Sequence, residues 1–124
     1  MAGYLTWGAN GGLGGGYPTN GAVVFSGNSG WYLIETVESY DGMRGDPGQG
    51  TFIKWLSKSA FGGTNYSNTP IGAVTHVEEP FVQNVENSQL YFGLWALGKN
   101  FAICAWNAQR TPFFQAVGDP FVAK

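Results

Sequence analysis

The chain has one cysteine, Cys104, in 124 residues. That excludes an internal disulfide and a cysteine cluster that could hold a metal. Charge is also scarce: Asp, Glu, Lys and Arg make up 11% of the residues, and the formal net charge is −2. The basic footprint of a nucleic-acid binder is therefore missing, as is a polybasic patch for an anionic membrane. No apolar run reaches the roughly 18 residues that a membrane span needs. Met1-Ala2-Gly3 opens without the charged and apolar regions of a secretory signal. The compartment stays open, an extracellular or cell-surface one included.

Glycine and aromatic residues are plentiful instead, with 20 Gly and 16% Phe, Trp and Tyr. The glycines have no G-X-Y period, which excludes a collagen-like chain. Many fall between Gly8 and Gly16, a stretch that reads as a loop. A phosphate-cradling role does not fit it. No Gly-Lys-Ser/Thr ending is present, and Tyr17-Pro18-Thr19-Asn20-Gly21 makes a turn where a helix would have to start.

A chain of this length suits one domain, or the C-terminal part of a larger one, and is long enough to bury a core. Strands are predicted at Tyr4–Trp7, Ala22–Phe25, Leu33–Val37, Ile71–Val77 and Phe114–Val117, from their β-branched and aromatic content. Asp41-Gly42 and Asp46-Pro47-Gly48 signal turns. Thr51 is placed to cap a helix carrying Phe52, Ile53, Leu56 and Ala60 on one face, stopped by Gly62-Gly63. Pro80 to Ser88 reads as a loop, and Leu90–Leu97 as a short helix ending at Gly98. Asn100 then caps a helix whose stripe is Phe101, Cys104, Ala105 and Ala108.

The stretch from Ile71 to Val117 thus has strand–crossover–strand grammar, which implies parallel pairing of its two strands. The expected fold is α/β: a partial three-layer sandwich with a mostly parallel sheet and flanking helices. An all-β sandwich is the alternative.

Three segments resemble an uncharacterised family of bacterial proteins that is distantly similar to gingipain-like and caspase-like cysteine peptidases. They are Ala2-Gly3-Tyr4-Leu5-Thr6-Trp7-Gly8-Ala9-Asn10, the stretch from Gln49 through the Val77-Glu78-Glu79-Pro80 corner, and the closing stretch from Leu90 to Phe121. The resemblance implies an α/β sandwich of which this chain is the C-terminal half. It also implies where a catalytic His and a nucleophilic Cys would stand, each after a strand. Gly8-Ala9-Asn10 offers no imidazole there, and Ser39-Tyr40-Asp41-Gly42 offers no thiol. Cys104, on a helix stripe, reads as a small core residue.

His76 is the sole histidine, near the C-terminal end of a strand where α/β sheets gather ligand sites. With Glu78, Glu79 and Asp41 it makes a candidate acid–base corner. The plainer reading is that Glu78 or Glu79 caps the turn before Pro80. No metal is expected, because a metal site needs three or four ligands, and no cofactor is implied. Asp119 reads as a turn residue before Pro120, with a ligand contact as its functional alternative. Asn28-Ser29-Gly30 lacks the setting of a hydrolase elbow and reads as a turn. Trp7, Asn10, Trp31, Tyr40, Glu79 and Asp119 are candidate binding residues. Tyr17, Tyr66, Tyr91, Trp95 and Trp106 add to an aromatic set that either fills an incomplete core or offers binding area.

The leading expectation is a noncatalytic α/β module for assembly or binding. A truncated sheet leaves an edge of unpaired backbone groups, so its partner is a second copy, forming a homo-oligomer, or a complementary N-terminal half. Alternatives are a hydrolase using His76, Glu78 and Asp41, and an extracellular carbohydrate-binding domain.

Overall fold

The computed structural model describes residues 3–6, 23–44 and 52–124. The glycine-rich stretch, Trp7, Asn10, Tyr17, Ala22, the turn at Asp46-Pro47-Gly48 and the cap at Thr51 lie outside them. Four strands form one sheet in the order β1 (Gly3–Thr6), β2 (Leu33–Thr36), β3 (Gly72–His76), β4 (Phe114–Gly118). β1, β2 and β3 run parallel, with Gly3 opposite Leu33 and Leu33 opposite Gly72.

β4 is antiparallel to β3, with Gly72 opposite Gly118 and His76 opposite Phe114. This corrects the expectation of parallel pairing there. The connection contains two helices, α2 (Ser88–Ala96) and α3 (Phe101–Ala108). They form a hairpin, because the Asn87 N–H donates to the Ala108 carbonyl, 2.9 Å away. One helix would carry the chain back to the start of β3. A second undoes that return, so β4 sets out from the end at which β3 finished.

Helix α2 starts two residues before the expected Leu90. The Asn87 side chain caps it by accepting from the Leu90 N–H. Asn100 caps α3 as expected, accepting from Ile103. The helix expected from Thr51 to Ala60 is shorter: α1 spans Phe52–Trp55, and a 3-10 turn follows at Ala60–Gly62. Leu56, Ser57, Lys58 and Ser59 separate the two, and the Ser57 N–H turns back to the Lys54 carbonyl. Serine competes for backbone groups and weakens a helix interior. The expected strand Ala22–Phe25 is reduced to a bridge at Val23, and the Phe25 N–H donates to the Phe61 carbonyl.

Alternation along the strands splits the core in two. Leu33 and Val74 face α2 and α3, packing with Tyr91, Trp95, Phe101 and Cys104. Ile34 and Ala73 face the opposite side, with Tyr32, Trp55 and Phe61. Phe25 and Phe61 stack there at 4.9 Å between centroids, and Tyr4 meets both edge-on. The sheet is therefore covered on both faces, a small mixed α/β architecture.

Candidate functional site

His76 is the last residue of β3 and, by alternation, points to the α2–α3 side, as does Glu35 of β2. Both are buried, and so is Glu86, which ends the loop before α2. The His76 Nε2 lies 3.1 Å from Glu86 Oε2, close but off the line of a well-formed hydrogen bond. Glu35 Oε1 accepts from the Ser88 hydroxyl at 2.6 Å, while Glu35 Oε2, Glu86 Oε1 and His76 Nδ1 have no hydrogen-bond partner. Phe114 of β4 closes one side, its ring edge-on to the imidazole at 6.2 Å. The Tyr91 hydroxyl donates to the Ile34 carbonyl beneath.

Burial dominates the electrostatics, since a low-dielectric site disfavours every charged form. It lowers His76 to about 4, against a smaller upward pull from Glu79. It raises Glu86 to about 8, helped by the nearby Glu35. It raises Glu35 to about 7, against the Ser88 hydrogen bond. At neutral pH the pair is therefore a neutral imidazole beside a carboxylic acid. Such a pair can hold and exchange a proton, but all three groups are closed off from solvent.

The corner read from the sequence is partly assembled. The Gly42 N–H donates to the His76 carbonyl at 2.8 Å, which brings the buried Asp41 to the end of β3. Glu78 is exposed. Glu79 accepts from the Ser39 hydroxyl at 2.5 Å and from the Phe81 N–H at 3.2 Å, so it fastens the turn around Pro80. Tyr40, between Ser39 and Asp41, takes a left-handed φ of 65°. Among the described residues no group of His, Cys, Asp and Glu could hold a metal. Glu86 was missed by sequence reasoning, since it sits in a polar loop ten residues from the histidine it meets.

Cys104 is buried, its thiol donates to the Lys99 carbonyl, and burial pushes its pKa up. It is a neutral core thiol. Asp119 accepts from the Phe121 N–H at 2.9 Å and shapes the exposed turn after β4. The aromatic set divides: Tyr91 and Trp95 are buried, whereas Trp31, Tyr40, Tyr66 and Trp106 are exposed.

A second feature lies on the outer side of α3 and β4. A cavity of about 390 Å³ opens between Phe101, Ala105, Trp106, Gln109, Phe114 and Ala116. Trp106 at its rim is 78% exposed, and Ile103 of α3, Phe113 before β4 and Phe121 after it are exposed as well. Among the described residues no strand pairs with the outer edge of β4, and no helix is long and apolar enough to cross a membrane.

No protein-family model, curated protein or solved structure matches the chain.

Proposed function

We propose that this chain is a noncatalytic α/β module that assembles with a second copy of itself through β4, as part of a sandwich of the gingipain-like and caspase-like kind. The outer edge of β4 carries this reading. Val77 donates to the Phe113 carbonyl, so Val77 and Phe113 form a hydrogen-bonded pair. Such pairs alternate along an antiparallel ladder. The backbone groups of Phe114, Ala116 and Gly118 therefore point away from β3, and of these the Phe114 N–H already donates to the Thr111 carbonyl at 3.3 Å.

That edge carries none of the usual protection against strand addition, which is a charge, a proline or a bulge. Its five residues are Phe-Gln-Ala-Val-Gly. Antiparallel pairing across a twofold axis at Ala116 sets each Phe114 against a Gly118 and each Gln115 against a Val117. Large meets small, and no like charges meet. Trp106 and the neighbouring groove would be covered by the same contact.

Sedimentation of the purified chain tests this reading, with a dimer at micromolar concentration as the expected result. Ala116→Lys places two ammonium groups face to face at the axis and is expected to give a folded monomer. A wild-type chain that stays monomeric overturns the reading, as does dimerisation unaffected by Ala116→Lys. Capture of a complementary N-terminal half by a monomer would assign the edge to that partner instead.

One observation favours a second reading, carbohydrate binding. Trp31 and Tyr66 are both more than half exposed, and the Ser29 N–H to Ser67 carbonyl bond ties their loops together. Rigid aromatic faces of this kind suit sugar stacking. A glycan array without a Trp31-dependent signal removes it.

A further inference from the structure

The segment between β3 and α2 crosses the end of the sheet where β2 and β3 finish. Its outer side is apolar and exposed, with Phe81 62% and Val82 91% accessible. Phe81 itself holds a left-handed φ of 53°. The segment is fastened at few points. Val77 N–H reaches the Phe113 carbonyl and Asn87 N–H the Ala108 carbonyl. Glu79 takes the Ser39 hydroxyl, and Glu86 dips inward to His76. A carboxyl group is thus buried beneath an exposed apolar loop, next to a second carboxyl on β2.

We propose that the His76–Glu86–Glu35 cluster is a proton-operated latch, which holds the Val77–Asn87 segment down while its carboxyl groups are protonated and lets the segment lift when they ionise. Two carboxylates and an imidazole from three elements meet in one closed space. Tyr91 and Cys104 face the same interior from α2 and α3, and Glu79 adds negative charge from the segment itself. Tyr91 and Cys104 are held neutral by burial. A second negative charge in this space would therefore meet repulsion, which lifting the segment into water relieves.

The direction follows from linkage. Glu86 ionises near its ordinary value once the segment is up, and only near 8 while it is down. Opening is therefore favoured as pH rises towards 8, by about tenfold per pH unit for one carboxyl. His76 acts oppositely below its ordinary pKa, because the open form binds its proton more readily. The clean window is pH 6.5 to 8.

Hydrogen exchange on the whole chain tests the latch, with each rate divided by its intrinsic base-catalysed rate. Protection of the Val77, Asn84 and Asn87 amides is expected to fall about tenfold per pH unit in that window. The Cys104 amide within α3 reports global unfolding and serves as the reference, and it is expected to stay better protected than the segment at every pH. Glu86→Gln keeps the shape of the protonated acid and cannot ionise, so the slope at the segment should vanish. Level protection in the wild-type segment overturns the latch. So does protection at the segment no lower than at Cys104, which means exchange by global unfolding, or an unchanged slope in Glu86→Gln. If that variant does not fold, Glu35→Gln supplies the arm, with the slope expected to weaken.

Discussion

Oε2 of Glu86 stands 3.1 Å from Nε2 of His76, and neither side chain touches solvent. The two come from opposite ends of a ten-residue excursion, one from the last position of a strand and one from the approach to a helix. Their meeting fixes how the fold responds to pH.

Global stability is expected to peak at about pH 4 to 4.5 and to fall as pH rises, because two raised carboxyls outweigh one depressed histidine. Glu35 and Glu86 have folded-state values above their unfolded ones. Their contribution is complete below the unfolded carboxyl value and is lost as pH rises through about 7 and 8. His76 has a folded value below its unfolded one. Its contribution is complete above the ordinary histidine value and is lost as pH falls towards about 4. Each perturbed group changes stability by about 1.4 kcal/mol per pH unit within its window. Urea midpoints from about pH 3 to 9 check this. Glu86→Gln should flatten the alkaline limb and leave the acid limb in place.

Gly72 and Gly118 sit opposite one another, and both allow Phe101 to lie on the sheet. A Cβ at Gly118 would stand 2.8 Å from the Gly72 Cα and from the Ile71 carbonyl oxygen. Those are backbone atoms with no room to yield. A Cβ at Gly72 would meet the Phe101 ring at 2.6 Å, and a ring can tilt. Gly118→Ala is expected to cost about 3 kcal/mol and Gly72→Ala about 1–2 kcal/mol, the range of overpacked cores. Chemical denaturation of the two variants decides the order.

Much of this architecture is legible in the chain. Leu33–Thr36 and Gly72–His76 are legible from their β-branched residues, and Asn100 followed by Phe101, Cys104, Ala105 and Ala108 marks α3. The direction of β4 is harder to read. It depends on whether Leu97-Gly98-Lys99 makes a bend within one crossing or a full reversal between two helices. Gly98, with φ of 77°, makes the reversal. Glu86 leaves no trace at all, because a glutamate among Gln83, Asn84 and Asn87 looks like solvated loop. Only the fold reveals that it turns inward to the sole histidine.

Cys104 is expected to resist thiol reagents in the native state. Its sulfur is buried, its proton is used by the Lys99 carbonyl, and its pKa is raised. Thiolate is the reactive form, so both access and ionisation oppose attack. Iodoacetamide at pH 8 should leave the folded chain unmodified and alkylate it fully in urea. Rapid native labelling would show an accessible thiolate and reopen the case for nucleophilic chemistry.

Asn68 ties the loops on the α1 side together, and its loss should be costly. The side chain is buried, accepts from the Ser29 N–H at 3.0 Å and donates to the Phe61 carbonyl at 3.0 Å. Its own carbonyl accepts the Tyr32 hydroxyl at 2.8 Å. Truncation to alanine removes both side-chain bonds, while the Ser29 N–H keeps the Ser67 carbonyl and the Phe61 carbonyl keeps the Phe25 N–H, so each lost bond is worth about 0.5–1.5 kcal/mol. Asn68→Ala is expected to destabilise the fold by about 1–3 kcal/mol, whereas Asn68→Asp keeps the acceptor for Ser29 and loses the bond to Phe61. At pH 8 the buried carboxylate has an oxygen facing the Phe61 carbonyl, so urea denaturation should rank Asp below Ala. Lowering the pH to 4 should restore much of its stability by neutralising the carboxyl, and Asn68→Ala should gain no more than wild type does.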